Sequence, residues 1–245
     1  MYQKVAVITG ASRGVGKELA TYLSTIGYYV VLLARDKAAL DKVCNSILMD
    51  GGLAASFELD VSDSSKVNLC INQIINEYGK IDLLVNNAAV LKRGTTELPD
   101  DEIEDLLKIN LNGAIYVAKH VATQMKKQKN GYIINVSSLG GKVAASFAGV
   151  YAASKFGLSG FSEALTKEMS LHDVKVTNIC PSMIATEMAT GRKFQLDQMI
   201  QISDIIKSVD YLLSLSKNAI PTEILISCMP LIQKTTELMQ KLYLS

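Results

Sequence analysis

Histidine and cysteine are scarce in this chain, with two and four among 245 residues. His120 and His172 stand apart from each other and from any carboxylate cluster, so neither a metal site nor a Ser-His-Asp arrangement can be assembled. Cys44, Cys70, Cys180 and Cys228 form no Cys-x-x-Cys pair, which argues against a zinc knuckle or redox motif and leaves buried, reduced thiols as the expectation. An excess of one charge is missing too: 25 basic residues face 24 acidic ones, no footprint for nucleic acid. No apolar run approaches the roughly eighteen residues that span a bilayer, and Val5 to Thr9 already reads as a strand, leaving no room for a signal peptide. A cytoplasmic protein with no membrane partner is expected. Internal repeats and low-complexity linkers are also absent. With 49% hydrophobic residues, residues 1–245 are expected to form one large α/β domain.

What is present is alternation. Short apolar runs at Val5–Ile8, Tyr29–Ala34, Ala54–Leu59, Ile81–Val85, Tyr132–Val136, Val174–Ile179 and Glu223–Ser227 predict about seven strands. Helical spacing separates them, from Gly14 onward, over Lys37–Met49, Val67–Ile75, Leu98–Met125 and Ile202–Leu215, and from Tyr151. That order implies a Rossmann-type, doubly wound parallel sheet with helices on both faces.

The turn Thr9-Gly10-Ala11-Ser12-Arg13-Gly14-Val15-Gly16 lies between the first strand and the first helix. Its glycines permit close backbone approach, and the helix start offers free N–H groups to a pyrophosphate. The second strand ends at Arg35, where a dinucleotide site commonly has an acid; a guanidinium suits the 2′-phosphate of NADP, and Arg13 is placed to reach the same group. Asp36 follows, an acid able to bond a ribose hydroxyl instead. Asn86 and Asn87 end the fourth strand, where amides either tie strands together or face a ligand crevice. Asn110, inside a long helical stretch, says little alone.

Tyr151 and Lys155 lie one turn apart on a predicted helix, so their tips share a face. A nearby ammonium stabilises a phenolate and lowers the phenol's pKa, which makes an acid/base catalyst that works near neutrality.

With the glycine turn, Asn86-Asn87-Ala88-Ala89, Ser138, Tyr151 and Lys155 in order, the sequence resembles the short-chain dehydrogenase/reductase family over roughly residues 3–228. The resemblance implies a tetrad: Tyr151 donates a proton to a carbonyl, Lys155 lowers its pKa and holds the nicotinamide ribose, Ser138 bonds the carbonyl oxygen, and Asn110 holds a relay water. It implies a cofactor cradle of Gly10, Ser12, Arg13, Gly14, Val15 and Gly16, with Asp60 and Val61 near adenine. Asn87 and Ala88 fall beside the ribose, and Pro181, Ile184 and Thr186 near the carboxamide and phosphates. It also implies pairing through the Tyr151 and Asn110 helices, giving homodimers or homotetramers.

NADP(H) and a small carbonyl substrate follow as expectations, with a 3-oxoacyl chain on an acyl carrier protein as the leading candidate. Leu91, Leu139, Val143, Phe147, Met183 and Met188 supply apolar lining, Lys92, Arg93, Lys142, Arg192 and Lys193 supply charge, and Lys126 to Lys129 is a place to meet an acidic carrier. A cofactor-binding sensor without turnover is the alternative from another class, and a nucleotide-fold methyltransferase a third reading.

Three departures fall on the substrate side: Ala89 for a usual glycine, Pro181-Ser182 for Pro-Gly, and Ser227-Cys228-Met229-Pro230 for Asp-Gly-Gly. Residues 182–200 read as a substrate lid. Beyond them, 231–245 reads as an amphipathic tail with Leu231, Leu238 and Leu242 on one face, docked on the domain or walling the substrate pocket.

Overall fold

A computed structural model describes residues 4–189 and 194–243; Arg192 and Lys193 lie outside the described residues. The chain alternates β1 (Lys4–Thr9), α1 (Gly14–Thr25), β2 (Tyr28–Ala34), α2 (Lys37–Met49), β3 (Leu53–Glu58), α3 (Ser64–Tyr78) and β4 (Leu83–Asn86). It continues through α4 (Asp100–Leu107), α5 (Ala114–Gln128), β5 (Gly131–Val136), α6 (Gly149–Ser170), β6 (Val174–Pro181), α7 (Ile202–Ser214), β7 (Glu223–Ile226) and α8 (Met229–Tyr243). Each neighbouring pair of strands is parallel, in the order β3-β2-β1-β4-β5-β6-β7. This is the expected Rossmann-type fold.

The strands are apolar on both faces because helices cover both. Successive side chains of β1 show it: Ala6 and Ile8 pack with Leu19, Leu23, Leu40 and Val209, whereas Val5 and Val7 pack with Ile71, Ile74, Val117 and Val121. Chain order reverses between β1 and β4, so their carboxyl ends frame the crevice where such sheets bind ligands.

Two helices differ from expectation. The stretch predicted as one helix over Leu98–Met125 is α4 and α5 joined by a π-helical segment, Lys108–Gly113. A Cβ at Gly113 would lie 2.7 Å from Val61 Cγ2, so the backbone there presses against the loop after β3. Periodicity cannot register such a one-residue widening. α8 forms as predicted, but none of its residues is buried. Leu231 alone among them packs partly against the core, while Leu242 and Tyr243 are 74% and 78% exposed. The tail is rooted at its start and is not docked along its length.

Candidate active site

Thr9 closes β1 and holds the crevice floor. Its hydroxyl accepts the amides of Asn87 (2.9 Å) and Ala88 (3.0 Å), and the Asn87 side chain donates to the Thr9 carbonyl at 3.0 Å. Asn86 is buried and donates to Ala114 O (2.8 Å) and Asn135 Oδ1 (3.1 Å). Of the two readings open for this amide pair, tying strands together describes both side chains.

Gly10 (φ 66°) and Gly14 (φ 54°) occupy left-handed backbone, which costs other residues about 1 kcal/mol or more. A Cβ at Gly16 would lie 2.3 Å from Gly10 O. α1 begins with Arg13 in the N-cap position, without a side-chain cap bond and with no acid in the first turn. Its first N–H groups and positive dipole end therefore face the crevice, as a pyrophosphate requires. Val15 and Gly16 are buried behind that surface, and Ser12 is half-buried in the turn. These features fit a dinucleotide: the backbone comes close, donors are available and the first turn of α1 carries no acid.

Just beyond β2, Arg35 is exposed. Asp36 caps α2, its carboxylate accepting from Ala39 N at 3.0 Å, so the acid that competed for the ribose has a structural task. The Arg13 guanidinium meets Glu187 at 3.4 Å, both side chains about three-quarters exposed. A pair so wet is weak and is readily displaced by a dianion. Asp60 turns inward on itself, Oδ1 accepting from Ser62 N (3.0 Å) and Ser62 Oγ (2.7 Å), and Val61 backs Gly113.

The residues expected to carry the chemistry sit between β5 and α6. Ser138 follows β5, and its Oγ accepts from Gly140 N at 3.0 Å. A Cβ on Gly140 would come 3.3 Å from Tyr151 Cε1 and 3.4 Å from Ser138 Oγ, which puts the two side chains around one small volume. Lys155, one turn after Tyr151, is 2% exposed; its ammonium lies 5.9 Å from the Tyr151 ring centroid and donates to Val136 O at 3.1 Å. Burial pushes the Lys155 pKa down to about 8, with Cys180 acting weakly the other way.

Asn110 is fully buried. Its amide accepts from Val90 N and donates to Val90 O, each at 2.8 Å, and lies 3.4 Å from Ser154 Oγ. The side chain thus fastens the π segment to the strand-4 exit, leaving main-chain groups to hold any relay water.

The buried lysine has a measurable cost. In the folded chain Lys155 titrates near 8 against 10.5 ordinarily, so below pH 8 the native state carries a charge that burial opposes. Replacing Lys155 with Met should stabilise the ligand-free protein at pH 7 by on the order of 3 kcal/mol. That advantage should close as pH rises from 8 to 10.5 and wild-type Lys155 becomes neutral in both states. Urea melts of both proteins across that range check it; a constant difference would mean that packing, and not charge, separates them.

On the substrate side, Pro181 ends β6 buried, and Ile184 bridges to Ile200. Thr186 flanks Gly14, its Cγ2 3.8 Å from where a Cβ would stand. Ala89 lies in ordinary backbone, since the described non-glycine residues with positive φ are Lys129 and Asp173; the alanine imposes no strain. Among the lysines named for an acidic substrate or carrier, Lys92 pairs with Glu102 (3.1 Å), Lys142 with Glu223 (2.5 Å) and Lys126 with Glu168. Of the apolar lining named from sequence, Val143 and Phe147 are 68% and 59% exposed. Sequence reasoning missed Thr9, Val90 and Glu187, because each acts through a partner distant in the chain. All four cysteines are buried and free.

A nucleotide-type crevice at the β1–β4 reversal, with serine, tyrosine and lysine gathered at the next strand end, marks an oxidoreductase of the Rossmann-type class. Residues 4–196 match the short chain dehydrogenase family, and the chain belongs to it; the enzymes of this family act on CH–OH and C=O groups. It is 35% identical over 189 residues to the 3-oxoacyl-[acyl-carrier-protein] reductase of Synechocystis sp., covering 76% of each chain. Among solved structures, a beta-ketoacyl-[ACP] reductase from Bacteroides thetaiotaomicron is 36% identical with a TM-score of 0.84, covering 95% of this chain and 100% of that one. A metagenomic short-chain oxidoreductase in complex with NADP is 32% identical with a TM-score of 0.81, covering 91% and 96%. Among the described residues no helix is long and apolar enough to cross a membrane.

Proposed function

We propose that the protein is an NADPH-dependent carbonyl reductase, with a 3-oxoacyl thioester as its preferred substrate. The observation that carries the reading is the buried Lys155 ammonium beside the Tyr151 ring, with Ser138 in the same small volume. When bound, the nicotinamide supplies the hydride. The chain's own residues manage the oxygen that gains charge: Ser138 and Tyr151 donate hydrogen bonds to it, and Tyr151 gives up its proton. Lys155 stabilises the phenolate left behind and hydrogen-bonds the nicotinamide ribose. The phenolate would regain its proton from the Lys155 ammonium, and a water held at the π segment around Asn110 would then return a proton to Lys155.

Thioester chemistry is supported by the two acyl-carrier-protein reductases at 35% and 36% identity. An acidic carrier meeting Lys126 to Lys129 would have to displace Glu168 from Lys126. Self-association as a dimer or tetramer belongs to the same reading: on α6, Phe156 is 45% exposed.

The test is NADPH oxidation over a panel of ketones, aldehydes and 3-oxoacyl thioesters, paired with binding of both cofactors. NADPH should bind more tightly than NADH, and Arg35→Ala should remove about 1.5–3 kcal/mol of NADPH affinity while sparing NADH. Equal losses for both cofactors would sink the phosphate-reading role of Arg35. Tight NADPH binding with no turnover on any carbonyl would sink the reductase in favour of a sensor.

A further inference from the structure

Three stretches far apart in sequence meet where β6 and β7 end. Ser182 donates its amide to Ile226 O at 2.8 Å, and its hydroxyl accepts from Cys228 N at 2.7 Å. The Cys228 thiol donates to Gln198 O at 3.0 Å, and the Cys228 carbonyl accepts the opening bonds of α8 from Leu231 N (3.1 Å) and Ile232 N (3.3 Å). Every polar group of Cys228 is thus committed, and the residue is 2% exposed. The 194–200 stretch is stitched in turn to the 182–189 stretch, Ile200 N donating to Met183 O and Ala185 N to Ile200 O, each at 2.9 Å. Lys234, on α8, lies 5.8 Å from the Phe194 ring centroid.

Two departures noted in the sequence, Ser182 and Cys228, therefore contact each other. They do so at the carboxyl ends of β6 and β7, the edge of the sheet that faces ligand. The two sides of the junction are held differently. Thr186 and Glu187 rest against Gly14 and Arg13 of the cofactor turn. Residues 194–200 are held by the Cys228 thiol, by their two backbone bonds to Met183 and Ala185, by the Gln201 amide donating to Leu196 O and Met199 O (2.9 Å each), and by apolar contact with the cluster that includes Met183, Ile184 and Leu231.

We propose that Ser182 and Cys228 are positioning residues for the carbonyl substrate: they clasp 194–200 and the root of α8 to the β6 exit, so that the C-terminal helix fixes that wall of the site. This rests on the reductase reading above. A thiol is a weak donor, and its value here is a buried bond between elements that nothing in local sequence holds together.

The variants are Cys228→Ala, which removes the donor, Cys228→Ser, which retains one, and Ser182→Gly, which places at 182 the residue usual in the family and is expected to fold. Cys228→Ala and Ser182→Gly should each raise KM for an active carbonyl substrate by about fivefold, the scale of one ordinary hydrogen bond. kcat and NADPH affinity should stay within about twofold. Amide exchange at Ala185 and Ile200 should quicken in both, and Cys228→Ser should keep KM near wild type. An unchanged KM in both variants would overturn the clasp. So would a parallel loss of NADPH affinity, which marks a support of the cofactor cradle. Should the wild-type protein reduce no carbonyl, the reductase reading fails by itself. The clasp is then judged by exchange alone: faster Ala185 and Ile200 amides in Cys228→Ala support it, and unchanged ones reject it.

Discussion

Tyr151→Phe should bind NADPH as wild type does and lose at least about a hundredfold in turnover, the lower range of what a positioned acid/base contributes. The substitution removes one oxygen and leaves the rest of the ring. The ring is what lies beside Gly140 and what the Lys155 ammonium meets at 5.9 Å, so the packing of β5 against α6 survives. Ser138 remains to accept the Gly140 amide and to bond a carbonyl, but no group is left to deliver the proton. Steady-state kinetics and a cofactor fluorescence titration on one preparation separate the two effects. Activity above about a hundredth of wild type with unaltered NADPH binding would end the assignment of Tyr151 as proton donor.

Gly16→Ala should lose more than about tenfold in NADPH affinity and about 1–3 kcal/mol of stability, the usual cost of overpacking. The added Cβ would stand 2.3 Å from Gly10 O, 2.6 Å from Asn87 Nδ2 and 2.9 Å from Gly10 C. Two of these are backbone atoms with no rotamer to escape into. Relief requires the turn to open, which pulls on the Asn87 bond to Thr9 O and swings the first N–H groups of α1 off their aim. Gly160→Ala is the matched control: nothing lies within 4 Å of its Cβ position, and a helix-interior glycine replaced by alanine gains up to about 1 kcal/mol. Thermal melts and cofactor titrations of both variants check the contrast; similar behaviour would mean that the glycine turn tolerates a methyl group.

What the sequence made legible was what local chemistry dictates. α2 runs over Lys37–Met49 as predicted, because its apolar stripe, its acid at the start and its glycines at the end agree. Every strand falls within a residue or two of its expected place, since buried parallel strands are short apolar runs bounded by turns. The glycine turn and the Tyr151 and Lys155 pair were readable for the same reason: each is a contiguous motif.

The unreadable features all depend on a distant partner. The π segment exists because Asn110 reaches Val90 and Gly113 lies against Val61, and helical periodicity continues through it undisturbed. Arg13 meets Glu187, a residue far along the chain that no local pattern announces. The tail's helix was legible from its stripe, but its lack of cover was not, because an apolar face states only that cover is favourable and not that the domain supplies it.

Arg35 and Asp36 are adjacent letters with unrelated obligations. The carboxylate starts a helix, whereas the guanidinium stands in solvent at the rim. Such a division makes this corner easy for mutation to explore: position 35 can drift among basic, neutral and acidic residues while α2 keeps its cap. On the proposed phosphate-reading role of Arg35, a lineage carrying this chain would move between pools of reducing power in single viable steps, and relatives with the same fold need not agree on which pool they draw from.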